Sequence, residues 1–169
     1  TQIVVDANDP AFANPTKFVG PVYPEAEART LAAARGWVVA ADGAKWRRVV
    51  ASPKPQEIPD LAVLRLLLGQ GVVVICAGGG GIPVVRRADG SLIGVEAVID
   101  KDHASALLAT AIKADALLML TDVAAVFRDF DTDRAAPISR LTPDAAAALT
   151  LPQGSMAPKV TAACDFVLG

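Results

Sequence analysis

The chain has 169 residues, enough for one domain or two small lobes and too few for a multidomain enzyme. With 53% hydrophobic and 20% charged residues it carries ample apolar surface to bury, which argues against disorder. Sixteen Lys and Arg against eighteen Asp and Glu leave a net charge of -2, not the basic balance expected of a nucleic-acid binder.

Cys76 and Cys164 form no CxxC pair, and His103 is the one histidine. No metal centre or disulfide framework is expected, and the pattern suits a reduced, cytoplasmic protein. From Leu66 to Val85 there is no charge, which is long enough to suggest a membrane span. Gly69, Gly71, the run Gly78 to Gly81 and Pro83 interrupt it, and a lipid-facing backbone so broken would leave amides unpaired. No membrane span is expected. Nor does the opening Thr1-Gln2-Ile3-Val4-Val5-Asp6 resemble a signal peptide, because no basic region precedes its apolar part. The absence of an initiator Met suggests a processed, trimmed or partial chain.

In chain order, Asp6 to Pro24 is dense in Pro, Asn, Asp and Gly and is expected to be irregular. Glu25 to Arg35 reads as a helix ending at Gly36. Trp37 to Ala41, the Asp42-Gly43 turn and Lys45 to Val50 read as a projecting hairpin. Ser52-Pro53-Lys54-Pro55 is a stiff connector. Residues 1–55 are thus expected to form an opening loop with a helix-hairpin lobe, and residues 56–169 a core. Leu61 to Leu68 is helical, and Val72 to Ala77 reads as a strand buried on both faces, as a helix-covered parallel sheet requires. Val84 to Val95 looks like a second hairpin around Asp89-Gly90. Lys101 to Ala114 is a helix, Ala116 to Leu120 an apolar strand, and Ile138 to Leu141 another strand. Thr142 caps a short alanine-rich helix, and Ser155 to Leu168 forms the last helix. Strands alternating with helices imply an α/β sandwich.

Four features carry chemistry. Gly78-Gly79-Gly80-Gly81 follows an expected strand, either as an anion loop whose N–H groups approach a ligand or as a flexible turn. Neither a GxGxxG nor a Walker loop fits, because Pro83 takes the last glycine position and no Gly-Lys-Ser/Thr follows. Asp100-Lys101-Asp102 sits at a helix start, where Lys101 presents charge to phosphate oxygens and Asp102 steadies it, or where the acids simply favour the first turn. Asp122 closes a strand, at the end where open α/β sheets bind ligands; it either contacts a nucleotide or caps a turn. Lys159 lies in the first turn of the last helix, against the macrodipole, and makes better sense facing an anion than solvated. Lysines and glycine turns with no Ser–His or Cys–His pair point to phosphoryl transfer rather than acyl transfer.

Five motifs in order bear a resemblance: Asn14-Pro15-Thr16-Lys17 with Gly20-Pro21-Val22-Tyr23; Ile75 to Pro83; Gly94-Val95-Glu96-Ala97-Val98-Ile99-Asp100-Lys101-Asp102; Thr121-Asp122-Val123; and Gly154-Ser155-Met156-Ala157-Pro158-Lys159-Val160. Together they resemble the bacterial carbamate kinases, of the amino-acid kinase fold. The resemblance implies a three-layer α/β/α sandwich with a small protruding hairpin lobe, here partial. It implies reversible phosphoryl transfer between ATP, with Mg2+, and carbamate, giving carbamoyl phosphate and ADP in arginine fermentation, by a cytoplasmic homodimer. Lys101 and Lys159 would stabilise the transferring group, with Asp102 orienting the lysines, and Lys17 would reach the carbamate side. Gly78 to Gly81 would shape the substrate end, while Asp122, Val123, Met156 and Pro158 would line the nucleotide pocket. The family's opening half, with its Gly-Gly-Asn-Ala loop, has no counterpart here, so a carboxyl-terminal portion is implied. A non-catalytic nucleotide-binding module and another amino-acid kinase, such as one acting on acetylglutamate, are the alternatives. Ala124-Ala125, Phe127 and His103 depart from the usual residues at their positions.

Overall fold

A computed structural model describes residues 1–151 and 155–169. Its main sheet has the order β5-β1-β6-β7, built from β1 (Gln2–Val5), β5 (Pro55–Glu57), β6 (Ile82–Arg86) and β7 (Leu92–Gly94). β1 runs parallel to β6, with Gln2 opposite Ile82 and Val4 opposite Val84, and antiparallel to β5. The β6–β7 hairpin turns at Asp89-Gly90, as the sequence implies; Gly90 has a φ of 84° and Asp89 accepts the Ser91 N–H.

The lobe is a second, antiparallel sheet, β2-β4-β3, from β2 (Lys17–Tyr23), β3 (Val38–Asp42) and β4 (Lys45–Val50). Helix α1 (Glu25–Arg35) packs on it and ends at Gly36, whose φ of 66° suits a left-handed helix stop. Guanidinium groups brace the lobe. Arg29 lies 4.6 Å over the Trp46 ring, and Arg35 and Arg48 lie 4.8 and 4.7 Å from that of Trp37. The expectation of an irregular Asp6 to Pro24 is therefore half corrected. After a 3-10 turn at Pro10–Phe12, β2 pairs along β4, and its ladder slips between Val19 and Val22. Gly20, at φ 70°, and Pro21 sit in that slip, where a residue without an N–H is tolerated.

Past β5, α2 (Leu61–Gly69) and α3 (Lys101–Ile112) pack against the main sheet, and α5 (Met156–Leu168) packs along α3. The core is the cluster Ile3, Val5, Ile58, Leu64, Ile99 and Ala104, with Leu107 and Leu108 against it. Each fully buried Ile contributes about 1.5–3 kcal/mol. α3 and α5 pack along each other, and both bury small residues, Ala104, Ala106 and Ala109 on the one and Val160 and Ala162 on the other. A ribbon of β8 (Val126–Arg128) and β9 (Ala136–Ile138) and the short α4 (Pro143–Ala147), capped by Thr142, complete the described residues. The expected strand at Ile138 to Leu141 lies two residues earlier, as β9.

Two strands read from the sequence are not formed. Residues 72–77 and 116–120 carry no ladder bonds, so only one parallel pair, β1–β6, stands where a fuller parallel sheet is expected. Val73 and Ile75 are 89% and 96% exposed, and Leu118 and Leu120 are 84% and 90% exposed. The residues are strand-like in type, but a strand is completed by partners, and although Val74, Cys76 and Ala77 pack against the core no strand among the described residues pairs with either segment.

Candidate functional site

The packing of α5 on α3 fixes the centre of the site. Asp100 is the N-cap of α3, and its Oδ1 accepts the Asp102 N–H at 2.9 Å. Lys159, in the first turn of α5, donates to both carboxylate oxygens of Asp102 at 3.1 and 3.0 Å. The two side chains are only 17% and 12% exposed. The anion implied by a lysine near a helix N-terminus is thus Asp102; the acid steadies Lys159 rather than its neighbour Lys101. Lys101 itself is exposed at the tip of α3.

From the opposite side, the lobe brings Lys17 to the other acid, its Nζ donating to Asp100 Oδ2 at 2.7 Å. Burial pushes the Asp100 carboxyl up, but the Lys17 hydrogen bond, the Asp102 amide and the charges of Lys17 and His103 together hold it below its ordinary value of 3.8. Asp100 and Asp102 are two residues apart, so their Cα atoms are within about 7 Å. Lysines from three remote parts of the chain, 17, 101 and 159, therefore gather at the N-terminus of one helix.

The glycine loop packs against the same point. A Cβ on Gly80 would stand 2.0 Å from the Ile99 carbonyl oxygen, and one on Gly81 would stand 2.7 Å from the Ile3 side chain. Close approach is what these two glycines provide, and it seats the loop beside the Asp100-Lys101-Asp102 turn. The N–H groups of Gly78, Gly80 and Gly81 bond to Cys76 and Ala77 carbonyls within the loop.

Two clefts flank this centre. One, of about 290 Å3, is lined by Thr121, Asp122, Val123, Phe127, Met156 and Lys159, with Phe130 and Leu151 at its side. Its walls are largely apolar with an acid and a lysine at opposite roles, and Phe127 and Phe130 meet with ring centroids 5.9 Å apart. The other, of about 780 Å3, lies between lobe and core and is lined by Thr16, Lys17, Phe18, Asp100, His103 and Pro158. Pro158, grouped with the nucleotide residues in the sequence, faces this second cleft. Gly154 lies outside the described residues. Among the described residues no three His, Cys, Asp or Glu side chains converge as a metal cluster would, and no helix is long and apolar enough to cross a membrane.

Sequence reasoning named Asp100 within the Asp100-Lys101-Asp102 turn without giving it a role of its own, and did not single out Phe130 or Leu151. The role of Asp100 could have been found from its place before Lys101, since an aspartate that caps a helix has a second oxygen to offer. Phe130 and Leu151 carry no local signal.

Comparison with known proteins agrees with the geometry. A carbamate kinase of Rhizobium meliloti (strain 1021) is 54% identical over 169 residues, covering 99% of this chain and 52% of that protein. One from Pyrococcus furiosus is 44% identical over 172 residues, covering 99% of this chain and 54% of that protein. Among solved structures, a protein of Aeropyrum pernix K1 superposes with a TM-score of 0.91 at 42% identity, over 99% of this chain and 55% of that one. The carbamate kinase of Giardia lamblia bound to AMP-PNP superposes with a TM-score of 0.87 at 40% identity, over 99% and 54%. The chain spans about half the length of the curated relatives it matches. The model of the Amino acid kinase family matches residues 26–169, and the chain belongs to that family.

Proposed function

We propose that the chain is the carboxyl-terminal portion of a carbamate kinase, which transfers a phosphoryl group between ATP and carbamate. The observation that carries the reading is the gathering of Lys17, Lys101 and Lys159 around Asp100 and Asp102. In the ATP-forming direction a terminal oxygen of ADP attacks phosphorus in carbamoyl phosphate and the bond to the carbamoyl oxygen breaks, releasing carbamate. Such a transfer asks for positioned positive charge and no covalent nucleophile. Lys159 and Lys101 meet the transferring group, Asp102 keeps Lys159 aimed, and Lys17 reaches the carbamate side from the lobe. The glycines 78–81 shape that end. Asp122, Val123 and Met156 line the smaller cleft, whose volume and aromatic wall suit an adenine nucleotide; Pro158 stands at the boundary between nucleotide and lobe. Magnesium travels with the nucleotide phosphates. In this reading the enzyme is cytoplasmic and homodimeric, serves arginine breakdown, and divides into a lobe within residues 1–55 and a core over 56–169, to which β1 contributes a strand.

The test is ATP formation from ADP, magnesium and carbamoyl phosphate by the purified chain, alone and mixed with the part of the Rhizobium meliloti enzyme that it leaves unmatched. Turnover in the mixture is expected; its absence in both would overturn the reading. The unpartnered residues 72–77 and 116–120, which lead directly into the glycine loop and Thr121, favour a second reading in which the chain alone binds nucleotide without catalysis. Saturable ATP binding with no turnover in the mixture would establish it.

A further inference from the structure

The run Gly94 to Asp102 is more than an approach to the helix that bears Lys101, because it is the strip of core on which the lobe rests. Glu96 pairs with Arg48 of β4. Ala97 bridges Ala51, and the Val98 N–H donates to the Ala51 carbonyl at 2.9 Å. Asp100 then takes Lys17 at 2.7 Å. The first three contacts follow the segment from Arg48 to Ala51 and the fourth reaches across to Lys17 at the start of β2, so the strip holds the lobe at two separate points, and the Lys17–Asp100 pair stands on the lobe–core cleft. An ammonium has three N–H donors and Asp100 uses one, leaving two for an anion in the cleft that Lys17, Asp100 and Pro158 line. Asp100 is equally constrained. One oxygen is committed to the Asp102 amide and the other to Lys17, so the carboxylate that starts α3 also orients the lobe lysine. A free lysine would spread over many rotamers, whereas this one is ordered before substrate arrives.

We propose that Asp100 is a positioning residue that holds Lys17 over the lobe–core cleft and thereby sets the affinity for the carbamoyl end of the substrate. The role rests on the phosphoryl-transfer reading above for its substrate and on geometry alone for the pairing. Asp100 touches no reacting atom; it acts through Lys17.

Asp100→Ser separates the two tasks of the carboxylate, since serine caps a helix about as well as aspartate but is too short to reach Lys17. Two measurements are made. The first is the rate at which each lysine is acylated under trace labelling, read by mass spectrometry on the full chain. Asp100→Ser is expected to speed labelling of Lys17 several-fold and to leave Lys159 unchanged. The second is kinetic, in the complemented enzyme. KM for carbamoyl phosphate is expected to rise about tenfold, the scale of one charge-assisted hydrogen bond, with kcat and KM for ADP nearly unchanged. The double variant with Lys17→Ala is expected to be no worse than Lys17→Ala alone, because the two residues act as one unit. Asp100→Asn serves where the serine variant does not fold. Unchanged Lys17 labelling overturns the pairing in solution. Multiplying effects of the two substitutions, or a loss confined to kcat, overturn the positioning role even where the pair forms. If the wild type shows no turnover, the function proposed above fails and the labelling alone decides whether Asp100 orders Lys17.

Discussion

Lys159 and Asp102 form a nearly buried pair in which either partner alone would be an uncompensated charge. Asp102→Ala is therefore expected to cost about 3 kcal/mol of stability, read by urea denaturation, because the lysine loses both acceptors while staying covered by α3 and α5. Lys159→Ala removes a preorganised cation, so it is expected to cost at least about 3 kcal/mol of transition-state stabilisation in the complemented enzyme. Near wild-type kcat/KM in that variant would leave Lys159 a structural partner of Asp102 and nothing more. Asp100 is as covered as Lys159 but pairs with a lysine 38% exposed, and its signature is in pH. Its carboxyl is held below the ordinary value of 3.8, so the pair stabilises the docked lobe above that pH and loses this contribution as pH falls through the lower folded value. Both tryptophans of the chain, Trp37 and Trp46, lie on the lobe and report on it. Acid titration of their fluorescence should show a step below about pH 4 that Asp100→Ser lacks. An identical titration in the variant would remove Asp100 as the source.

At the scale of elements, the glycine loop and the strip beside it are coupled by contact. Gly80 has a φ of 135° and no room for a Cβ against the Ile99 carbonyl. Gly80→Ala is expected to destabilise by at least about 2 kcal/mol and, by displacing Ile99, to disturb Asp100 as well. Gly79, with nothing within 4 Å of a Cβ and no left-handed φ, should accept alanine at little cost. Thermal unfolding of the two variants checks this, and equal behaviour would mean the loop is free to move away from Ile99. The helices were legible in the sequence because their signals are local. Gly36 stops α1, Asp100 and Thr142 cap α3 and α4, and the elements stand within a residue or two of where those signals put them. β2 was obscured by Gly20-Pro21, which reads as a breaker until the ladder slip that absorbs it is known. The site divides in the same way. Charge placement pointed to Lys101 and Lys159 from their helix ends alone, whereas Lys17 joins them only through a contact spanning 83 positions in the chain, which no local pattern encodes; family resemblance supplied it.

At the scale of the molecule, the chain is two well-registered parts and one unfinished surface. The lobe and the α3–α5 centre have their partners, but residues 72–77 and 116–120 present Val73, Ile75, Leu118 and Leu120 to water, with Leu66 and Val63 of α2 also exposed. Extended apolar segments with unpaired N–H and C=O groups are templates for pairing with another chain. An apolar patch of this kind is rarely left open on a monomer. The purified chain is therefore expected to self-associate in a concentration-dependent way through these segments. Sedimentation velocity across a dilution series is the measurement, on the wild type and on the double variant Ile75→Lys with Leu118→Lys. Both positions are too exposed for lysine to disturb the described packing, so the variant should fold as the parent does and differ only in association. A shift of the variant toward monomer is expected. If both chains associate alike, contact runs through another surface, such as the outer face of the lobe. If both stay monomeric, the exposed segments are shielded in solution by a rearrangement of the chain itself. The Lys17–Asp100 and Lys159–Asp102 pairs lie elsewhere, at the start of α3, so the labelling of Lys17 should be the same in parent and variant and will show that the site survives the change.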